Sequence, residues 1–187
     1  MAKIFGNLHL VLVLGLVLAI ALVFEPSYQP PLGVWNGVFQ WLHVFFGITW
    51  IGLLYYFNFV QIPTMPKIPA ELKKGVSGYI APKALFFFRW AAVATVVTGL
   101  ILAWLYNELS DALTLQDSAR LIGIGMYLAM IMAANVWFVI WPNQKKALGI
   151  VTVDDAAKAK AATTAMIASR INVMLSIPML LAMTNAH

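Results

Sequence analysis

Five long apolar segments constrain the fold more than any other feature of this chain. They cover residues 7–24, 35–60, 85–106, 120–141 and 162–183. A helix needs about 20 apolar residues to cross the hydrocarbon core of a bilayer. Helices also satisfy every backbone hydrogen bond internally, as that environment requires. The sequence therefore predicts an all-α integral membrane bundle of five transmembrane helices, with residues 1–187 forming a single domain.

The composition agrees with a membrane protein and excludes several kinds of site. Apolar residues make up 62% of the chain and charged residues only 10%, which is far from the average soluble domain. The chain contains no cysteine. This excludes disulfides, all-cysteine iron–sulfur clusters, thiolate zinc sites and covalently attached c-type haem.

The distribution of basic residues predicts the orientation. If the N-terminus is cytoplasmic, every lysine and arginine except Arg120 falls on or near the cytoplasmic side. By the positive-inside rule this predicts a multi-pass protein of the bacterial inner membrane, with a periplasmic C-terminus. The net charge of +5 is then an orientation signal, and no nucleic-acid partner is needed to explain it. Because no small-x-small cleavage site follows the first apolar run, we expect that run to be retained as a span.

The second apolar segment carries a histidine, His43, on a polar stripe. At about 100° per residue, several polar residues, a glycine and a tryptophan lie within about 60° of His43, and the apolar Leu54 interrupts them. They are Asn36, Gln40, Gly47, Trp50, Asn58 and Gln61. The last segment likewise places Ser169, Asn172 and Ser176 on one face. We expect both faces to point into the bundle and not toward lipid.

The chemistry available to such a bundle is limited. The chain has three histidines and no carboxylate inside a predicted span, so the usual hydrolytic triads and paired-carboxylate sites are excluded. Haem b suits what remains, because imidazole holds its iron noncovalently between apolar helices. We predict His43 as an axial ligand, with Gly47 giving room for the ring and Trp50 stacking on it. A core histidine bonded to a neighbouring helix is the alternative reading.

The remaining candidate residues are less constrained. We favour His187 as the second metal ligand, because it ends the last helix on the same predicted side as His43; His9 or a methionine is the alternative. His9 could equally be an interfacial side chain, and His187 a frayed terminus. Arg89 could contact inner-leaflet phosphates or, as a cofactor-binding residue, a haem propionate.

Several segments resemble a known family. They are HVFFGITWIGLLYYFN from His43 to Asn58, WPNQKK from Trp141 to Lys146, ASRIN from Ala168 to Asn172, and LSIPM from Leu175 to Met179. Together they resemble the membrane domain of bacterial membrane-bound urate oxidases. The looser pattern His43-x6-Trp50 is similar to haem-containing membrane protoporphyrinogen oxidases and to copper-resistance membrane proteins.

The resemblance implies a haem-type redox role with His43 as a ligand. The long urate oxidases carry a C-terminal cytochrome c domain, for which this sequence has no cysteine. The resemblance therefore implies that a separate cytochrome or a larger membrane complex accepts the electrons. It leaves open whether this chain is itself an enzyme.

Three hypotheses follow from different classes of protein. The first is a haem b electron-transfer protein or membrane oxidase component. The second is a copper-handling protein, because Met179, Met183 and His187 recur every four residues and thioethers suit Cu(I). The third is a cofactor-free accessory subunit, whose polar stripes bind other helices of a larger complex. All three have membrane lipid as a partner.

Overall fold

The structure is a computed structural model that describes residues 6–186, and these residues are almost entirely helical. The chain divides into two compact units, Met1–Val38 and Phe39–His187. The first unit contains helix α1 (Leu8–Val23), which the Asn7 side chain caps by accepting a hydrogen bond from Leu10 N at 3.3 Å. None of the side chains of α1 is buried.

Five further helices follow α1. They are α2 (Val34–Lys67), α3 (Ala70–Leu105), α4 (Leu109–Leu113), α5 (Asp117–Ala147) and α6 (Asp155–Thr184). Among the described residues, four of these helices are long and apolar enough to cross a membrane, whereas α1 has only 16 residues. At 1.5 Å per residue α1 is about 24 Å long, less than the hydrocarbon core. The all-helical class is therefore confirmed, with four to five apolar helices that could span a membrane.

The helices extend well beyond the predicted spans. Helix α2 continues to Lys67 and α3 begins at Ala70, whereas the predicted spans were 35–60 and 85–106. A helix can continue beyond the hydrocarbon core that it crosses, so the bounds of the membrane spans stay a prediction.

Three segments of the long helices are π-helical, and each precedes a proline. The pairs are Tyr56–Gln61 with Pro63, Val76–Ile80 with Pro82, and Val136–Ile140 with Pro142. A proline cannot donate a backbone hydrogen bond, and its ring crowds the carbonyl of the preceding turn. The wider π turn changes the hydrogen-bond register just before each proline. The helices thus continue past residues that usually end them.

The core of the second unit is built by all four long helices. Its fully buried side chains include Trp50, Leu54, Phe88, Ala92, Met132 and Val136. Many large apolar side chains remain exposed on the outside, among them Ile48, Phe138 and Ile177. An apolar exterior of this extent matches contact with lipid.

Polar side chains join the helices inside this core. Asn172 on α6 is completely buried, as the predicted face of the last helix requires. Its Oδ1 accepts from Asn135 Nδ2 at 2.7 Å, and its Nδ2 donates to Met132 O at 3.0 Å. Asn58 Nδ2 on α2 donates to Ser169 Oγ at 2.7 Å. Such bonds stabilise helix pairs where water cannot replace them.

We predict that Asn172→Ala destabilises the protein by about 1–3 kcal/mol, because it leaves buried groups of α5 without their partner. A double-mutant cycle with Asn135→Ala is expected to give a coupling of roughly 0.6–1.7 kcal/mol. The measurement is unfolding in detergent. The matched control is Asn185→Ala, since exposed Asn185 donates to Leu181 O in the last turn of its own helix. Equal effects at Asn172 and Asn185 would show that the buried bonds contribute nothing.

Candidate functional site

The imidazole of His43 on α2 lies against helix α3. Its Nδ1 is 2.9 Å from the carbonyl oxygen of Thr95 and 3.3 Å from Thr98 Oγ1. A carbonyl oxygen only accepts hydrogen bonds, so Nδ1 carries the proton and donates it. The hydroxyl of Thr98 donates to Ala94 O at 2.7 Å and is free to accept from Nδ1 as well. In the neutral form of the imidazole, Nε2 is then the unprotonated nitrogen, which can bind a metal ion or accept a hydrogen bond.

Gly99 provides the space in which this imidazole lies. A Cβ atom at Gly99 would come within 2.8 Å of His43 Cε1 and 3.1 Å of Nδ1. Any other residue would therefore displace the ring. By contrast, a Cβ atom at Gly47 would make ordinary contact with Thr95 Cγ2 at 3.9 Å, so the packing of the protein itself does not require glycine there.

A cavity of about 570 Å³ opens beside His43. All four long helices line it, and its walls are mainly apolar. The residues that bear on its chemistry are His43, Gly47, Trp50, Thr95, Gly99, Met126, Met130, Met179 and Met183. The volume falls in the range of small-molecule and cofactor sites.

One end of the cavity is polar. Gln40 near the start of α2, Tyr106 after the end of α3, and Thr184 at the end of α6 all line it, together with Glu108. The Tyr106 hydroxyl donates to Gln40 Oε1 at 3.4 Å. These residues come from the end of the bundle that the charge distribution predicts to be periplasmic.

The structure brings three of the predicted site residues together: His43, Gly47 and Trp50. Trp50 is completely buried, and its indole N–H has no hydrogen-bond partner among the described residues. Sequence reasoning missed Thr95, Thr98 and Gly99. They follow one another at helical spacing, which places two hydroxyls and a glycine on one face of α3.

The other predicted site residues lie elsewhere. Arg89 does not line the cavity; it precedes Gly99 by ten residues on α3, about 15 Å along the axis. His9 is exposed on α1 in the first unit. His187 lies outside the described residues, so its pairing with His43 stays a prediction.

The cavity residues fit the chemistry of haem b. Within residues 6–186, no cluster of three or more His, Asp or Glu side chains could hold a bare metal ion. A haem needs only axial ligands from the protein, since the porphyrin supplies the other four. His43 Nε2 is one candidate, and the thioethers of four cavity methionines are others. The apolar walls suit the macrocycle, and the amide N–H groups of Gln40 suit its carboxylates.

Comparison with known proteins gives one match. Residues 111–187 match the family model described as urate oxidase N-terminal. No curated protein and no solved structure matches the chain. The matched region includes the motifs quoted from residues 141–146, 168–172 and 175–179, whereas His43 and α3 precede it. The predicted resemblance is thereby confirmed over the C-terminal part of the chain: residues 111–187 are similar to the urate oxidase N-terminal family.

Proposed function

We propose that this protein binds haem b within the membrane and acts in electron transfer or as a component of a membrane oxidase. The observation that carries the proposal is the hydrogen bonding of His43. Its Nδ1 lies 2.9 Å from a backbone carbonyl, to which it can only donate, and the ring lines an apolar cavity. In the neutral imidazole, Nε2 would then be free to bind a metal ion. Metal-binding histidines in proteins generally show this arrangement, since the second hydrogen bond fixes the ring and raises ligand basicity.

The residues around the cavity would have separate roles. His43 would hold the iron through Nε2, Thr95 would orient the imidazole, and Gly99 would leave it room. Trp50 and the apolar walls would exclude water, and a low-dielectric site of this kind influences reduction potential. When bound, haem supplies one-electron transfer.

The second axial ligand is proposed to be a methionine of the cavity. Met126 and Met179 are nearly fully buried, and both line the cavity with Met130 and Met183. A histidine–methionine pair raises the potential of a haem. His187 and His9 are the alternative ligands.

The chain also needs an electron acceptor. Similarity to the urate oxidase N-terminal family supports an oxidoreductase context, and we propose that a separate cytochrome or a larger membrane complex takes the electrons. We propose the bacterial inner membrane as the location, with a cytoplasmic N-terminus, because that orientation follows the positive-inside rule.

Copper binding is a second candidate function, and one observation favours it. Four methionine side chains line the same cavity as His43, and thioether with imidazole is a donor set that suits Cu(I). Elemental analysis of the purified protein distinguishes copper binding from haem binding. Stoichiometric copper without iron would support copper handling and contradict the haem proposal.

We predict that the purified protein shows a haem absorption spectrum with a Soret band that shifts on reduction with dithionite. His43→Ala is expected to abolish or shift that band, because the axial imidazole is lost. Thr49→Ala is the matched control, because Thr49 lies on the same helix as His43 but does not line the cavity, and it is expected to leave the band unchanged. A colourless protein, or a band unaffected by His43→Ala, would contradict the proposal; the colourless result would support a cofactor-free accessory subunit.

We also predict that Gly99→Ala lowers haem content about tenfold or more, by moving the imidazole that it contacts. Gly15→Ala on α1 is the control, because a Cβ atom at Gly15 has no atom within 4 Å. Haem per protein is measured by the pyridine haemochrome assay. Equal haem content in the Gly99 and Gly15 variants would mean that the position of the His43 ring is irrelevant to binding.

A further inference from the structure

A buried arginine with unsatisfied nitrogen atoms lies away from the His43 cavity. Arg89 is only 8% exposed, and its Nε and Nη1 have no hydrogen-bond partner among the described residues. Among residues 6–186, no carboxylate forms an ion pair with it; the ion pair found there joins Arg120 to Asp117. A guanidinium in this condition is costly unless something compensates its charge.

The indole of Trp141 on α5 compensates only part of that cost. The guanidinium carbon of Arg89 lies 3.4 Å from the centroid of the Trp141 ring. Lys145 Nζ lies 5.7 Å from the same centroid. Each cation is attracted to the ring, but the two positive charges beside one indole also repel one another. An anion near both cations would remove this repulsion.

A further group at this place also lacks a partner. Gln144 follows Trp141 by three residues and therefore lies on the same side of the helix. Its Oε1 is buried and accepts no hydrogen bond from the described residues. A ligand that satisfies both Arg89 and Gln144 would carry an anionic acceptor and a hydrogen-bond donor.

The level of the cluster in the membrane indicates where such a ligand would come from. Arg89 precedes Leu105, the last residue of α3, by 16 positions, or about 24 Å. With the Leu105 end at one face of a hydrocarbon core about 30 Å thick, Arg89 lies near the opposite face, where headgroups begin. Most of the basic residues of the chain are predicted at that face.

We propose that Arg89, Trp141 and Lys145 form a binding site for a phosphate group, most simply the phosphodiester of an anionic lipid headgroup at the inner face. The guanidinium presents a planar pair of donors that matches phosphate oxygens, and Lys145 adds a second charge. A headgroup with hydroxyl donors, such as glycerol, also satisfies Gln144, whereas choline has no donor. The site is independent of the haem proposal.

Thermal unfolding of the full chain in detergent tests this site. The probes are phosphatidylglycerol, phosphatidylcholine and inorganic phosphate, each added separately. We expect phosphatidylglycerol at saturating excess to raise the Tm of the unmodified chain by about 5 °C or more, and phosphatidylcholine to raise it less. Arg89→Gln is expected to lose the rise. Arg170→Gln is the matched control, because Arg170 is exposed on the same predicted side.

The outcomes separate the sources of the phosphate. A rise with phosphatidylglycerol alone identifies a lipid site, and an equal rise with inorganic phosphate identifies a site for free phosphate. If Arg89→Gln does not fold, Lys145→Gln is tested instead. Phosphatidylglycerol is then expected to raise the Tm of Lys145→Gln by about half as many °C as it raises the Tm of the unmodified chain. The proposal is overturned if no probe raises the Tm, or if the variants at both Arg89 and Lys145 respond as fully as Arg170→Gln.

Discussion

The hydrogen bond from His43 Nδ1 to the Thr95 carbonyl determines what the cavity can do. Inside an apolar bundle a polar side chain needs a partner, because water is absent. This bond satisfies one ring nitrogen with a backbone acceptor, and so it fixes both the tautomer and the direction of the other nitrogen. A histidine with both nitrogens bonded to protein would be structural. Among the residues that the structure describes, only Nδ1 of His43 has hydrogen-bond partners, and the ring lines a cavity.

Helix α3 carries the residues on which both proposals depend. Thr95 and Gly99 lie in its later half and position His43, whereas Arg89 lies about 15 Å earlier on the helix and contacts Trp141. The two sites therefore occupy different levels of the bundle. The first is apolar with thioether and imidazole donors, and the second is cationic. A redox centre and a phosphate contact would be kept apart by the packed core of Phe88, Ala92 and Met132.

Helical periodicity predicted much of this arrangement. The face of α2 that contains His43, Gly47 and Trp50 does line the cavity, because residues three and four apart share a side of any helix. Helical periodicity does not predict contacts between different helices. Gly99 lies against His43, and Arg89 lies against Trp141, although the residues of each pair are far apart in the sequence. Periodicity also gave no sign that α2 and α3 continue through Pro63 and Pro82, where a π turn precedes each proline.

The central claim concerns one atom, Nε2 of His43, and an experimental structure of the purified protein tests it most directly. We expect density for a planar macrocycle in the cavity, with its iron bonded to that nitrogen. Density showing Nε2 hydrogen-bonded to another side chain, with the cavity closed by repacked methionines, would contradict the claim. The four long helices and their polar contacts would then remain as a scaffold without a redox role.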